Sequence, residues 1–185
     1  MLDRPWSWLR QVHGDHVVDV GSPGDGAGAE GDGLVSTARG TALAVFTADC
    51  APVAMASPEG VIGVAHAGWR GLLAGILERT AERMRQAGAT DITAALGPCI
   101  HVECYEFSPA DLDTVAGGLG DAVRGHTSAG TPALDMPAAV AASLSRAGVS
   151  LAHDAGVCTA CAASEYFSHR ARAEPERQAT VVWLP

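Results

Sequence analysis

The chain has 185 residues, 48% apolar and 18% charged, which suits one folded unit with a real core and excludes a disordered chain. Its net charge of −9, with 12 basic residues that are all arginine, argues against a nucleic-acid backbone or an anionic membrane as the main partner. No apolar run is long enough to span a bilayer, and the first residues hold no apolar signal core, so a soluble cytoplasmic protein is expected.

In chain order, residues 7–20 (SWLRQVHGDHVVDV) read as two short extended runs around a His-Gly-Asp turn, which predicts a hairpin. Gly21 to Gly33 is almost entirely Gly, Ala, Ser, Pro and acidic residues and is expected to be a flexible surface loop. Thr41 to Phe46, Ala51 to Ala56 and Val61 to Ala65 are continuous apolar runs, the pattern of strands buried on both faces. From Gly71 to about Gln86 the period becomes helical, with Leu72, Leu73, Ile76, Leu77 and Met84 on one face and Gly88 as the stop. Ile92 to Leu96 returns to strand. Ser108 followed by Pro109 and Asp111 marks a helix start, and Asp135 with Pro137 opens another that runs to about Ala147. Val149 to Ala152 and Ala179 to Leu184 complete the strands. The irregular alternation predicts a mixed-sheet α+β or α/β domain and not a strict βαβ repeat.

Reactive residues stand at the mouths of two of the apolar strands. One group is Thr47-Ala48-Asp49-Cys50-Ala51-Pro52, the other His66-Ala67-Gly68-Trp69-Arg70-Gly71. Such positions combine a rigid scaffold with solvent access. The helix start after His66 offers free N–H groups to an anion, and Arg70 adds a guanidinium fork. By spacing alone His13, Cys50 and His66 match no local zinc motif, although thiolate and imidazole suit zinc and three ligands leave a fourth position open.

The five cysteines, an odd count without an export signal, favour thiols or metal ligands over disulfides. Cys99 and Cys104 with Cys158 and Cys161 could form a structural zinc site. Their loose spacing and the lack of a Gly-rich knuckle favour buried or redox-labile thiols instead. Tyr166 to Arg172 interleaves aromatic and basic residues, which suits a base and a phosphate or simply a solvated turn before the last strand.

At these motifs the sequence resembles the YfiH/YlmD family, formerly labelled multicopper polyphenol oxidases or laccases. The matching pieces are Gln11-Val12-His13-Gly14, Asp32-Gly33, Thr47 to Val53, His66 to Gly71, Gly97-Pro98-Cys99-Ile100, Cys104-Tyr105-Glu106, Phe167-Ser168-His169-Arg170 and Val182-Trp183-Leu184. They follow family order across nearly the whole chain. The resemblance implies a single α+β domain over residues 1–185, CNF/YfiH-like, with a large mixed sheet flanked by helices. It implies zinc held by His13, Cys50 and His66 as metal ligands and catalytic residues. It implies phosphorolysis of adenosine, inosine, guanosine and methylthioadenosine, deamination of adenosine, and a link to peptidoglycan precursor fidelity. Its partners are then a small nucleoside and phosphate. Arg70, Asp49 and Arg170 are the expected substrate-binding residues, and Asp49 or Glu106 the expected group to orient a ligand histidine or shuttle a proton. Family members carry a further segment ahead of the Gln-Val-His-Gly motif, so part of the sheet and some substrate contacts are expected to be missing from this chain. Ala171 stands where a second adjacent arginine is common, with Arg172 one place later.

Two alternatives use the same residues. Copper in place of zinc would give polyphenol oxidation, but a multicopper centre needs roughly ten histidine-type ligands. This chain has 7 His and no His-x-His pair. A thiol hydrolase with Cys50 as nucleophile and His66 as base, acting on a peptidoglycan precursor, would need no metal.

Overall fold

The computed structural model describes residues 4–185. Its elements in chain order begin with β1 (Trp6–Arg10), β2 (Val17–Val20), β3 (Ala29–Glu30), β4 (Gly33–Ser36), β5 (Ala42–Thr47), β6 (Ala51–Ala56) and β7 (Ile62–Ala67). Helices α1 (Trp69–Ala74) and α2 (Ile76–Gln86) precede β8 (Thr93–Leu96), and α3 (Pro109–Leu119) follows it. Then come β9 (Arg124–His126), β10 (Pro132–Leu134), α4 (Met136–Arg146), β11 (Ser150–Asp154), α5 (His169–Arg172) and β12 (Gln178–Trp183).

A six-stranded mixed sheet, order β11-β8-β6-β7-β4-β2, is the central layer. A four-stranded sheet, order β12-β5-β1-β3, covers one of its faces, and β9 and β10 form a separate hairpin. Strand alternation sends side chains of β4 and β7 to two different cores. Leu34, Ile62 and Val64 pack between the sheets with Leu9, Leu43 and Val45. Val35, Ala65 and Ala67 face the other way, against Leu72, Ile76, Leu77, Val115 and Val140 of the helices. That is why these strands are apolar throughout: neither face meets water. The expected mixed sheet with flanking helices is therefore present. No helix among the described residues is long and apolar enough to cross a membrane.

Several local signals act as expected. The Ser108 hydroxyl accepts from the Asp111 N–H at the start of α3, and the Asp135 carboxylate accepts from the Ala138 N–H at the start of α4. Others are overridden. The predicted helix from Gly71 is two helices, because Gly75 takes the left-handed conformation (φ 93°) and ends α1. The apolar period continues across the break, so the pattern alone hides it. The predicted hairpin of residues 7–20 does not form. β1 pairs in parallel with β5 and β3, β2 pairs in parallel with β4, and the two lie in different sheets. The supposed flexible loop ends in β3 and in a fully buried Asp32.

Candidate metal centre

His66 is the next-to-last residue of β7, in phase with Ile62 and Val64, so its side chain points into the space between the sheets at their open end. Cys50 ends the turn joining β5 to β6, and His13 lies in the turn after β1. Three strand ends thus deliver three donor atoms that all lie within 4.8 Å of one another. Cys50 Sγ is 3.8 Å from His13 Nε2, and the two imidazole rings meet edge to face at 4.7 Å.

The group that organises these donors is Asp32. Its buried carboxylate lies 2.8 Å from His66 Nδ1, which leaves Nε2 free to face Cys50. The same carboxylate accepts backbone N–H bonds from Val12, His13 and Gly14 at 2.7–3.3 Å. This clamp holds His13 at φ 62°, a left-handed conformation that a non-glycine residue adopts only when its surroundings compel it. Gln11 fixes the approach to the turn by donating to the Phe46 carbonyl and accepting from the Phe46 N–H. Gly68 leaves room for the pair opposite: a Cβ there would sit 2.7 Å from His13 Cδ2 and 3.2 Å from Cys50 Sγ.

Electrostatics follow from this packing. Burial opposes ionisation of the Cys50 thiol, yet the hydrogen bonds and charges of His13 and His66 outweigh it and bring its pKa down to about 6. Burial likewise opposes the His66 imidazolium, but Asp32 and Cys50 raise it to about 9. Burial works against the Asp32 carboxylate too, and His66 and the Gly14 N–H hold it below its usual value. Two imidazoles and a readily ionised thiol, with one imidazole braced by a carboxylate, form a donor set suited to zinc.

A cleft of about 420 Å³ opens over the three donors. Thr47, His169 and Arg177 also line it, and the buried Thr47 hydroxyl has no hydrogen-bond partner among the described residues. His169 and Arg177 come from the C-terminal segment, and no local motif pointed to Arg177.

The expected substrate contacts lie around this cleft and not in its walls. Asp49, also at positive φ (98°), accepts from the Thr159 hydroxyl and the Arg170 N–H, so its carboxylate anchors the C-terminal segment. The residue orienting His66 is Asp32, neither Asp49 nor Glu106 as the sequence suggested. Asp32 was legible only as an acid at the end of a Gly-rich stretch. Arg70 is exposed and stacks on Trp69 at 4.3 Å. Arg170 lies over the Tyr105 ring at 4.7 Å and donates to the Glu106 carbonyl. It lines a neighbouring cleft of about 570 Å³. Trp69, Phe107 and Tyr105 stack edge to face between the two arginines, at 5.6 and 4.9 Å. Of the four outlying cysteines, Cys99 is buried and joins neither donor group, while Cys104, Cys158 and Cys161 meet beside Glu103.

The family model described as multi-copper polyphenol oxidoreductase laccase matches residues 1–185. A Streptomyces griseus protein named purine nucleoside phosphorylase is 42% identical over 183 residues, covering 96% of this chain and 73% of the relative. A Deinococcus radiodurans protein of the same name is 41% identical over 182 residues, 96% of this chain and 69% of its own. Among solved structures, a Neisseria meningitidis protein superposes with TM-score 0.85 at 28% identity, over 98% of this chain and 75% of the other. YlmD from Geobacillus stearothermophilus superposes with TM-score 0.79 at 29% identity, over 95% and 72%.

Proposed function

The chain belongs to the family described as multi-copper polyphenol oxidoreductase laccase, and from that membership we propose that it is a zinc-dependent purine nucleoside phosphorylase that also deaminates adenosine. The observation that carries the reading is the meeting of His13, Cys50 and His66 donor atoms within 4.8 Å beneath an open cleft. Relatives named for phosphorolysis support the reaction class.

Zinc held by these three side chains would supply Lewis acidity at the floor of the cleft. The remaining work falls to the chain itself. Asp32 keeps His66 in the tautomer whose Nε2 faces the donors. Arg177, the arginine in the cleft wall, offers a guanidinium to phosphate, and His169 and the free Thr47 hydroxyl offer hydrogen bonds to a sugar or base. An anionic nucleophile held there meets the positive charge that develops on the sugar as the N-glycosidic bond breaks. Arg70 and Arg170 stand further out and are assigned to guiding the anionic substrate, with Asp49 fixing the Arg170 backbone. The donor set argues against a multicopper oxidase, since the cluster holds two imidazoles where such a centre needs roughly ten histidine-type ligands.

The decisive assay is phosphate-dependent release of hypoxanthine from inosine. Cys50→Ala is expected to lose at least about a hundredfold in kcat/KM, about 2.7 kcal/mol of barrier. Normal turnover by that variant would defeat the assignment. A second reading has one specific observation behind it: Asp32, His66 and a Cys50 thiol with pKa near 6 line up as acid, base and nucleophile. Activity that survives chelation but not thiol alkylation would favour this thiol hydrolase.

A further inference from the structure

Away from the cleft, three thiols and one carboxylate crowd together, with no arginine or histidine paired to the carboxylate among the described residues. Glu103 and Cys104 sit on a short 3-10 turn, Val102–Cys104, ahead of α3. Cys158 is bridged in parallel to Cys99, and Cys161 follows one turn later. One donor atom from each of Glu103, Cys104, Cys158 and Cys161 lies within 4.8 Å of the other three. Cys104 Sγ and Cys161 Sγ are 3.4 Å apart, and Cys161 Sγ is 3.7 Å from Glu103 Oε1. A tetrahedral zinc with Zn–S bonds of about 2.3 Å has S–S edges of about 3.8 Å, and shorter edges to oxygen. The cluster brackets those values. A sulfur–sulfur separation of 3.4 Å is far beyond a disulfide bond of about 2.05 Å.

Two more features fit a metal. The His101 N–H donates to Cys158 Sγ at 3.4 Å, the kind of backbone bond that stabilises a ligating thiolate. Among the described residues no arginine or histidine side chain pairs with Glu103. Gathering three thiols and a carboxylate at one point, from buried Cys158 out to exposed Cys161, gains little for the fold without a cation.

We propose that Glu103, Cys104, Cys158 and Cys161 form a second, structural zinc site. Four protein donors close the coordination sphere and leave no position for substrate, which separates this site in kind from the three-donor cleft. Its place in the fold gives it a task. It ties the segment after β8 to the segment after β11, and both grip Asp49. The Ile100 N–H donates to the Asp49 carbonyl, the Thr159 hydroxyl to its carboxylate, and Arg170, further along, donates its N–H there too. Asp49 adjoins Cys50, so the zinc would steady the wall behind the cleft.

The test is independent of what the cleft does. Cys50→Ser removes the only thiolate of the first cluster, so any sulfur-to-metal signal must come from the second. The full-length Cys50→Ser chain, reduced and loaded with cobalt(II) alone, is expected to show an intense thiolate-to-cobalt absorption band in the near ultraviolet. Cobalt held by His13 and His66 gives no such band. Adding Cys161→Ser, at an exposed position, or Glu103→Gln should weaken the band while far-ultraviolet circular dichroism stays that of a folded chain. In the otherwise unmodified chain, Cys161→Ser should lower zinc content by one equivalent. Absence of the band in Cys50→Ser overturns the proposal, and so does a band that neither further substitution changes.

Discussion

Asp32 concentrates more of the site than any metal-facing residue. One buried carboxylate serves His66 and three consecutive backbone N–H groups, so ligand orientation and loop shape share a single anchor. Asp32→Ala would leave an imidazolium and three amides without their partner. Removing one member of such a buried pair costs about 3–5 kcal/mol, and loss of a group behind a metal ligand typically costs about 10–100-fold in metal affinity. Chemical denaturation of the metal-free variant and zinc titration against a competing chelator measure the two effects separately. The pKa values of the donors set a pH dependence for the same titration. Between about 6 and about 9, Cys50 is already a thiolate while His66 still carries a proton that zinc must displace. Affinity is therefore expected to fall about tenfold for each pH unit lowered across that window. Below about 6 Cys50 binds a proton as well, and the slope steepens to about a hundredfold per unit. An affinity flat from pH 9 to pH 6 would contradict the assigned donors.

At the scale of elements, strand phase and turn geometry place the chemistry. His66 faces the inter-sheet space because it is two residues on from Val64, and a one-residue slip of β7 would turn it towards the helices. The break at Gly75 lets α1 start at the site and α2 lie along the sheet. Gly75→Ala forces a Cβ into the left-handed region, at a cost of about 1–2 kcal/mol. The variant is expected to melt lower while keeping its zinc content, since Gly75 touches none of the donors. Equal melting temperatures would mean that α1 and α2 can run on as one helix. Element types were readable from apolar period and caps: β6 matches Ala51–Ala56, and α3 and α4 start after the residues that cap them. Pairing was not readable. The run from Ser7 to Val20 looked like a hairpin because two extended segments flank a turn, yet backbone hydrogen bonds to β5 and β4, and the Asp32 clamp between, draw the segments into separate sheets.

For the whole molecule, the cleft lies at one open end of a sheet sandwich, walled on its far side by the C-terminal segment. In a chain of net charge −9 a phosphate needs a local cation, and Arg177 is the arginine that lines the cleft. Arg177→Ala is expected to raise the KM for phosphate about tenfold or more, a charge-assisted contact of about 1.5–3 kcal/mol, and to leave the KM for inosine nearly unchanged. Equal effects on both substrates would place phosphate elsewhere, with Arg70 and Arg170 as the next candidates.

By itself, the sequence determined the apolar strands, the capped helices, the thiol and imidazoles at strand mouths, and through their motifs the family. These are local properties, written in the spacing of a few residues and the chemistry of their side chains. Only the tertiary structure decided that His13, Cys50 and His66 share one point, that Asp32 rather than Asp49 braces them, and that three of the outlying cysteines meet at Glu103. Donors that lie 16 to 53 residues apart in the chain come together only when strands of two sheets find their partners, and strand pairing depends on surfaces that no short window of sequence contains.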